Sequence, residues 1–377
     1  MILLAGIYIH VPFCKQACHY CDFHFSTSLK IREPLLEALK TELIMQQLYL
    51  SDEPISTIYF GGGTPSLLTP GEIEGILSTI DEFYHVVEST EITLETNPDD
   101  LTIDYLKGLY EVGVNRLSIG IQSFQESVLQ WMNRAHDSEQ AISSVEISRS
   151  VGFDNINIDL IYGIPLSEHN LQSDLMKAVE LQPEHISAYN LTIEPGTVFG
   201  HQLKKGALQE VSEEEAAQCF ELTMTTLKAN GYQHYEISNF CLSGKESRHN
   251  TGYWDGHLYL GIGPSAHSFN GKNRQSNIAS NGRYLQKINE GVIPSSLEEL
   301  TSEQRINELI MLGLRTRKGV DLQMLIDDFE WDLVAQNSKY LERLTNNGLA
   351  QIEKNKLLLT DEGKLVADRI AEDLFIN

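Results

Sequence analysis

Three scarcities narrow the field before any motif is read. No stretch of the 377 residues approaches the ~18 consecutive apolar positions that a membrane helix needs. The apolar opening "MILLAGIYIHVPF" carries neither a basic n-region nor a small-residue cleavage site, so the expectation is a protein that stays in the cytoplasm. Positive charge is also scarce, with 28 Lys and Arg against 53 Asp and Glu and a net charge of -25. Affinity for a nucleic-acid backbone comes largely from displacing counterions with cations, so this balance argues against a nucleic-acid partner. Cysteine is the third scarcity: five in all, with Cys14, Cys18 and Cys21 crowded together and Cys219 and Cys241 alone. In a reducing compartment that spacing points to metal ligation rather than a disulfide framework.

A chain of this length suits a main α/β domain with an appendage. Short β-branched or aromatic runs recur at "GIYIHV" (6–11), "TIYFGG" (57–62), "EITLET" (91–96), "RLSIGIQ" (116–122), "NINIDLIYG" (155–163) and "HISAYNLTI" (185–193). The stretches between them read as helices. "REPLLEALKTELIMQQLYL" (32–50) and "SEEEAAQCFELTMTTLKANG" (212–231) space apolar residues by three and four, and the second opens on a Ser cap and stops at Gly231. Strand–helix alternation implies a parallel sheet with right-handed crossovers. Six units predict an α/β fold built on a partial, open (β/α)6 TIM-like barrel, although a doubly wound sheet fits the pattern nearly as well. Glu95, Gln122 and Asp159 fall at or near strand ends, where barrel chemistry collects.

The chain is expected to divide into the barrel over 1–235, a connecting α+β region over 236–297, and a C-terminal domain over 298–377. In the connecting region "HYEISNF" and "HLYLGIG" read as strands, with a polar, Gly-rich stretch from Gly271 to Gly282. The last part reads as two or three helices, a hairpin in "LAQIEKNKLLLT" turning near Lys354 and Asn355, and a final helix. That order resembles a winged-helix module. Such modules often bind DNA, but 10 Lys or Arg against 16 Asp or Glu in 298–377 make a packing or lid role the expectation.

"CKQACHYCDF" places three thiols on one tight loop directly after the first strand. A structural zinc ion would need a fourth donor from His19, His24 or a distant Cys, because tetrahedral closure takes four. An iron–sulfur cluster also ordinarily takes four cysteines, so three leave one iron open to another ligand. One strand later, "YFGGGTPS" (59–66) supplies adjacent glycines, whose amides can come close to a ligand and hold its polar atoms.

The CxxxCxxC spacing, the aromatic Tyr20 just before the third cysteine and the "YIHVPFC" lead-in resemble the radical S-adenosylmethionine superfamily. With "GGGTP" and "NIDLIYGIP" they resemble its coproporphyrinogen III dehydrogenase branch. The resemblance implies a [4Fe–4S] cluster on Cys14, Cys18 and Cys21, whose open iron is chelated by S-adenosylmethionine. It further implies that Tyr8, Tyr20, Gly62, Gly63, Thr64 and Glu95 belong to the cofactor's site. Gln122, Arg134 and Asp159 match residues that hold a second S-adenosylmethionine in the oxidase. The dull alternatives are a solvated helix cation for Arg134 and a strand-end acceptor for Asp159.

The oxidases extend the motif to CxxxCxxCxC, and the position of the fourth cysteine here is Phe23. With Cys14 so close to Met1, the expectation is that their longer N-terminal extension, involved in substrate binding, is missing. Instead "RHNTGYWDG" carries His249, Asn250, Tyr253 and Trp254 as HNxxYW, which resembles the signature of the HemW subgroup, regarded as heme chaperones. This implies heme as ligand, an acceptor protein at a membrane or in respiration, and a reductant such as flavodoxin or ferredoxin. An imidazole can ligate heme iron, which makes His249 the candidate; alternatively His249 bonds backbone while Tyr253 and Trp254 pack between domains. His10, His19 and His24 are less specific candidates. A coproporphyrinogen oxidase or another radical tetrapyrrole enzyme is the competing expectation.

Overall fold

The computed structural model describes residues 4–376, and its central strands alternate between an apolar and a polar face. In β1 (Ala5–Val11), Ile7, Ile9 and Val11 are fully buried on one side, while Gly6, Tyr8 and His10 take the intervening positions. The strands that follow are β2 (Ile55–Gly62), β3 (Val86–Thr96), β4 (Arg116–Gln122), β5 (Ile156–Tyr162) and β6 (His185–Asn190), and the period of two is plainest in "RLSIGIQ" of β4. These six strands lie side by side in chain order and all pair in parallel. Between them run α1 (Arg32–Met45), α2 (Pro70–Phe83), α3 (Ile103–Glu111), α4 (Glu126–Trp131), α5 (Ser138–Val151) and α6 (Leu171–Leu181), followed after β6 by α7 (Val198–Lys204) and α8 (Glu213–Ala229). The sheet stays open, as the expected partial barrel requires.

Helix starts follow local chemistry. Capping boxes open α2 at Thr69 and Glu72, α5 at Asp137 and Gln140, and α8 at Ser212 and Glu215. The expected cap at Ser212 is therefore present, and Gly231 sits just past the end of α8 with φ of 89°. The helix expected over 32–50 stops at Met45; the chain turns there so that Leu50 reaches the interior, 1% exposed.

The chain forms two compact units, one of 1–232 with 241–298, the other of 233–240 with 299–377. Two short strands, β7 (Gln233–Glu236) and β8 (Asn239–Cys241), fall where the chain passes between these segments. The first unit continues with α9 (Arg248–Trp254), then β9 (Leu258–Ile262), which pairs in parallel with the outer side of β1. β10 (His267–Phe269) and β11 (Asn273–Asn277) extend that edge antiparallel, followed by α10 (Asn281–Asn289) and β12 (Ser295–Glu299). Thus the polar Gly-rich stretch contains a strand that its composition hides. The second unit packs Ile306, Ile310, Leu325, Leu341, Leu357 and Ile370 into its own core. Its hairpin turns at Lys354 and Asn355, with φ of 50° and 63°, the left-handed pair that a two-residue turn requires.

Candidate cofactor site at the strand ends

The loop that carries the three cysteines has no regular structure of its own and is held by its surroundings. Cys14 N–H donates to Ser26 O at 3.1 Å, and Thr64 N–H donates to Phe13 O at 2.6 Å. Further along, Gln16 Nε2 donates to Asn133 O at 2.7 Å, Asn133 Nδ2 donates to Ala17 O at 2.8 Å, and His19 N–H donates to Met132 O at 3.0 Å. Lys15 pairs with Asp99 at 2.6 Å and with Asp100. The loop is therefore pinned both to the segment after β3 and to the segment after α4.

Arg134 is the main strut. Its Nη1 lies 3.2 Å from Cys18 Sγ and 3.3 Å from Tyr20 Oη, and its Nη2 donates at 2.7 Å to both Asn97 Oδ1 and Gly120 O. Burial opposes its charge, but Tyr20 and Cys18 more than compensate and hold it above the ordinary arginine value. Thr64 Oγ1 donates to Cys14 Sγ at 3.5 Å. Burial raises the Cys14 thiol and pushes Cys21 up to about 12. All three cysteines are half-buried and free. Among the described residues, no three His, Cys, Asp or Glu side chains surround one point closely enough for a single ion.

These sulfurs open onto a cavity of about 400 Å³. Of the residues expected to bind cofactor, Tyr20, Gly62, Gly63, Thr64, Glu95, Gln122, Arg134 and Asp159 line it together with Cys14, Cys18 and Cys21. Two strand ends make the shape. Gly62 has φ of 108°, and a Cβ there would stand 2.5 Å from the His10 ring, so only glycine turns the chain at this point. Gln122, with φ of 70°, follows a register shift in β4. Glu95 accepts from Tyr59 Oη at 2.8 Å and from Gly62 N–H at 3.2 Å. Burial pushes its carboxyl up to about 7, with Asp159 adding to the rise and the Tyr59 bond opposing it. Burial raises the Asp159 carboxyl as well.

Two expected contacts stand off this cavity. Tyr8 lies behind it, its Oη 3.1 Å from His10 Nδ1 and its ring 6.1 Å from that of Tyr59. His249 is 4% exposed, and both its ring nitrogens are engaged, at 2.8 Å from Thr57 Oγ1 and 2.8 Å from Tyr253 Oη. Burial, with Arg116 nearby, holds that imidazole down at about 3, so it stays neutral. The other candidates also have partners: His10 Nε2 reaches His24 O at 2.9 Å, His24 Nε2 reaches Asn281 Oδ1 at 2.6 Å, and His19 Nδ1 reaches Trp131 O at 2.9 Å.

Sequence reasoning missed Tyr59, Asn97, Arg116, Ser118, Asn157 and Ser187, which line the same cavity. Arg116 is 1% exposed and its Nε has no hydrogen-bond partner among the described residues. The signal was present as polar residues at alternate positions of "RLSIGIQ" and "NINIDLIYG".

Residues 8–176 match the Radical SAM superfamily, and residues 300–366 match the HemN C-terminal domain. The heme chaperone HemW of Bacillus subtilis is 36% identical over 372 residues, covering 97% of this chain and 98% of that protein. HemW of Mycobacterium tuberculosis is 32% identical, covering 98% of this chain and 94% of that protein. The mitochondrial radical S-adenosyl methionine domain-containing protein 1 of Bos taurus is 30% identical over 97% of this chain and 86% of its own length. Coproporphyrinogen III oxidase of Escherichia coli shares the fold with a TM-score of 0.84 at 24% identity, over 99% of this chain and 90% of that one. A three-cysteine loop closed over a cavity at the ends of parallel strands, and full-length likeness to these relatives, together place this chain in the HemW family of the radical SAM superfamily.

Proposed function

We propose that this chain is a heme chaperone: it carries a [4Fe–4S] cluster on Cys14, Cys18 and Cys21, binds S-adenosylmethionine beside it, and passes heme to an acceptor protein. The observation that carries the reading is the convergence of the three cysteines, the Gly62–Thr64 turn and buried Glu95 on one cavity, in a chain 36% identical to a protein named heme chaperone HemW. The donor set fits a cluster. Thr64 Oγ1 and Arg134 Nη1 place donors 3.5 Å and 3.2 Å from the Cys14 and Cys18 sulfurs, and cluster-bound sulfurs accept such bonds. Bound there, cluster and S-adenosylmethionine would supply one-electron chemistry.

A cavity of about 400 Å³ suits one ligand of that size. Gln122, Arg134 and Asp159 are accordingly assigned to the single S-adenosylmethionine, and heme to a separate place on the chain. Glu95 supplies a carboxylate for the methionine ammonium, and Arg134 keeps the loop in place. A flavodoxin- or ferredoxin-type reductant and a membrane-associated or respiratory acceptor complete the proposal. Phe23, 68% exposed at the position of the oxidases' fourth cysteine, weighs against propionate decarboxylation.

Anaerobic reconstitution tests the reading. Iron and acid-labile sulfide with little zinc, together with heme retained through gel filtration, are expected. Zinc without sulfide, or coproporphyrinogen-dependent product from protein that retains no heme, would overturn it.

A further inference from the structure

The HNxxYW motif forms most of α9, and its surroundings point inward. α9 packs against β1 and β2. Its start is held by Glu91 of β3, which accepts from Arg248 N–H at 3.2 Å and His249 N–H at 3.1 Å. Gly6 leaves room for it: a Cβ there would stand 2.7 Å from Thr57 Oγ1 and 3.3 Å from the His249 ring. With both nitrogens bonded, His249 could reach an iron only by giving up a buried partner.

Its flat face is used as well. The His249 ring stacks on Tyr59 with centroids 5.0 Å apart and planes 26° apart. Tyr59 Oη is the donor 2.8 Å from Glu95 Oε1, and Glu95 Oε2 accepts from Gly62 N–H. A continuous series of contacts therefore runs from the motif to the glycine turn. The next motif residue, Asn250, lines the cavity itself. Its backbone N–H donates to Ser247 Oγ at 3.3 Å, while its carboxamide has no hydrogen-bond partner among the described residues.

We propose that HNxxYW serves the S-adenosylmethionine cavity: Asn250 lines it and offers its carboxamide to polar atoms of the bound sulfonium nucleoside, and His249, behind the cavity wall, is a positioning residue that keeps Tyr59 against Glu95. The inference rests on the reading that S-adenosylmethionine binds there. It gives the motif a task distinct from heme ligation.

Equilibrium dialysis of S-adenosylmethionine against the anaerobically reconstituted full chain tests it, with heme retention measured on the same samples. Asn250→Ala is expected to weaken S-adenosylmethionine about tenfold, the worth of one good hydrogen bond, and to retain heme like the parent. His249→Ala should weaken it similarly, and His249→Phe, which restores a flat ring over Tyr59, should recover most of the loss. Asn250→Ala removes no internal hydrogen bond, so it decides the matter even where His249→Ala fails to fold. Parent-like S-adenosylmethionine affinity in Asn250→Ala overturns the inference, as does heme loss with unchanged S-adenosylmethionine affinity in His249→Ala. A parent chain that binds no S-adenosylmethionine would sink the proposed function and this inference together; parent-like variants sink the inference alone.

Discussion

The guanidinium of Arg134 stands 3.2 Å from the sulfur of Cys18 while its other terminal nitrogen grips Asn97 and Gly120. One side chain thus ties the cysteine loop to the ends of β3 and β4. Arg134→Leu would leave buried polar partners unpaired, a loss of about 3 kcal/mol. A lower denaturant midpoint for the variant, and less iron retained per chain after reconstitution, are expected. A parent-like midpoint with full iron content would show that the strut is dispensable.

Replacing Cys14, Cys18 or Cys21 with Ala should abolish the cluster in each case and leave the barrel folded. The thiols sit on a loop held by backbone bonds that alanine keeps, such as Cys14 N–H to Ser26 O. Iron and sulfide assays with circular dichroism check this. Normal iron–sulfur content in all three variants would refute the ligand assignment.

Glu95 predicts a pH dependence. Tyr8, Cys14, Tyr59, Arg116, Asp159 and Tyr253 are the titratable and charged groups around it. Its carboxyl, raised by burial to about 7, is neutral below that pH and cannot pair with the ligand's ammonium. Affinity for S-adenosylmethionine should therefore rise with pH through that value, by up to about tenfold per unit below it. Glu95→Gln should bind more weakly with a flat profile. A parent profile that is already flat would remove Glu95 from the ammonium's contacts.

Gly6 offers a structural check on the barrel floor. Gly6→Ala would drive a methyl group into Thr57 Oγ1, at 2.7 Å, and disturb its bond to His249. Overpacking of this kind costs about 1–3 kcal/mol. Pairing it with Thr57→Ala should recover part of the loss, which thermal melts of both variants and the double variant would read. Strict additivity would mean the two residues do not compete for space.

Much of the barrel was legible because its strands are short and regular. The runs at 116–122 and 155–163 stand on β4 and β5, within one residue at either end. The site was legible where chemistry and local backbone coincide, as in the cysteine loop and the Gly62 turn. Three features were not. The end of α1 depends on Leu50 reaching the core, which helix periodicity does not encode. β11 is built from "NRQSN", residues with little strand preference that pair because β10 lies beside them. Motif spacing also says nothing about depth, so the burial of His249 beneath Tyr59, away from the thiols, emerges only once Thr57 and Tyr253 are placed.

Heme titrated into the anaerobically reconstituted chain, with the Soret band followed after gel filtration beside His249→Ala, puts the chaperone role to the test. Stoichiometric heme is expected to stay with the parent and, from the enclosed position of His249, with the variant as well. A parent chain that retains no heme would contradict the chaperone reading, and the next assay would be S-adenosylmethionine cleavage with coproporphyrinogen present.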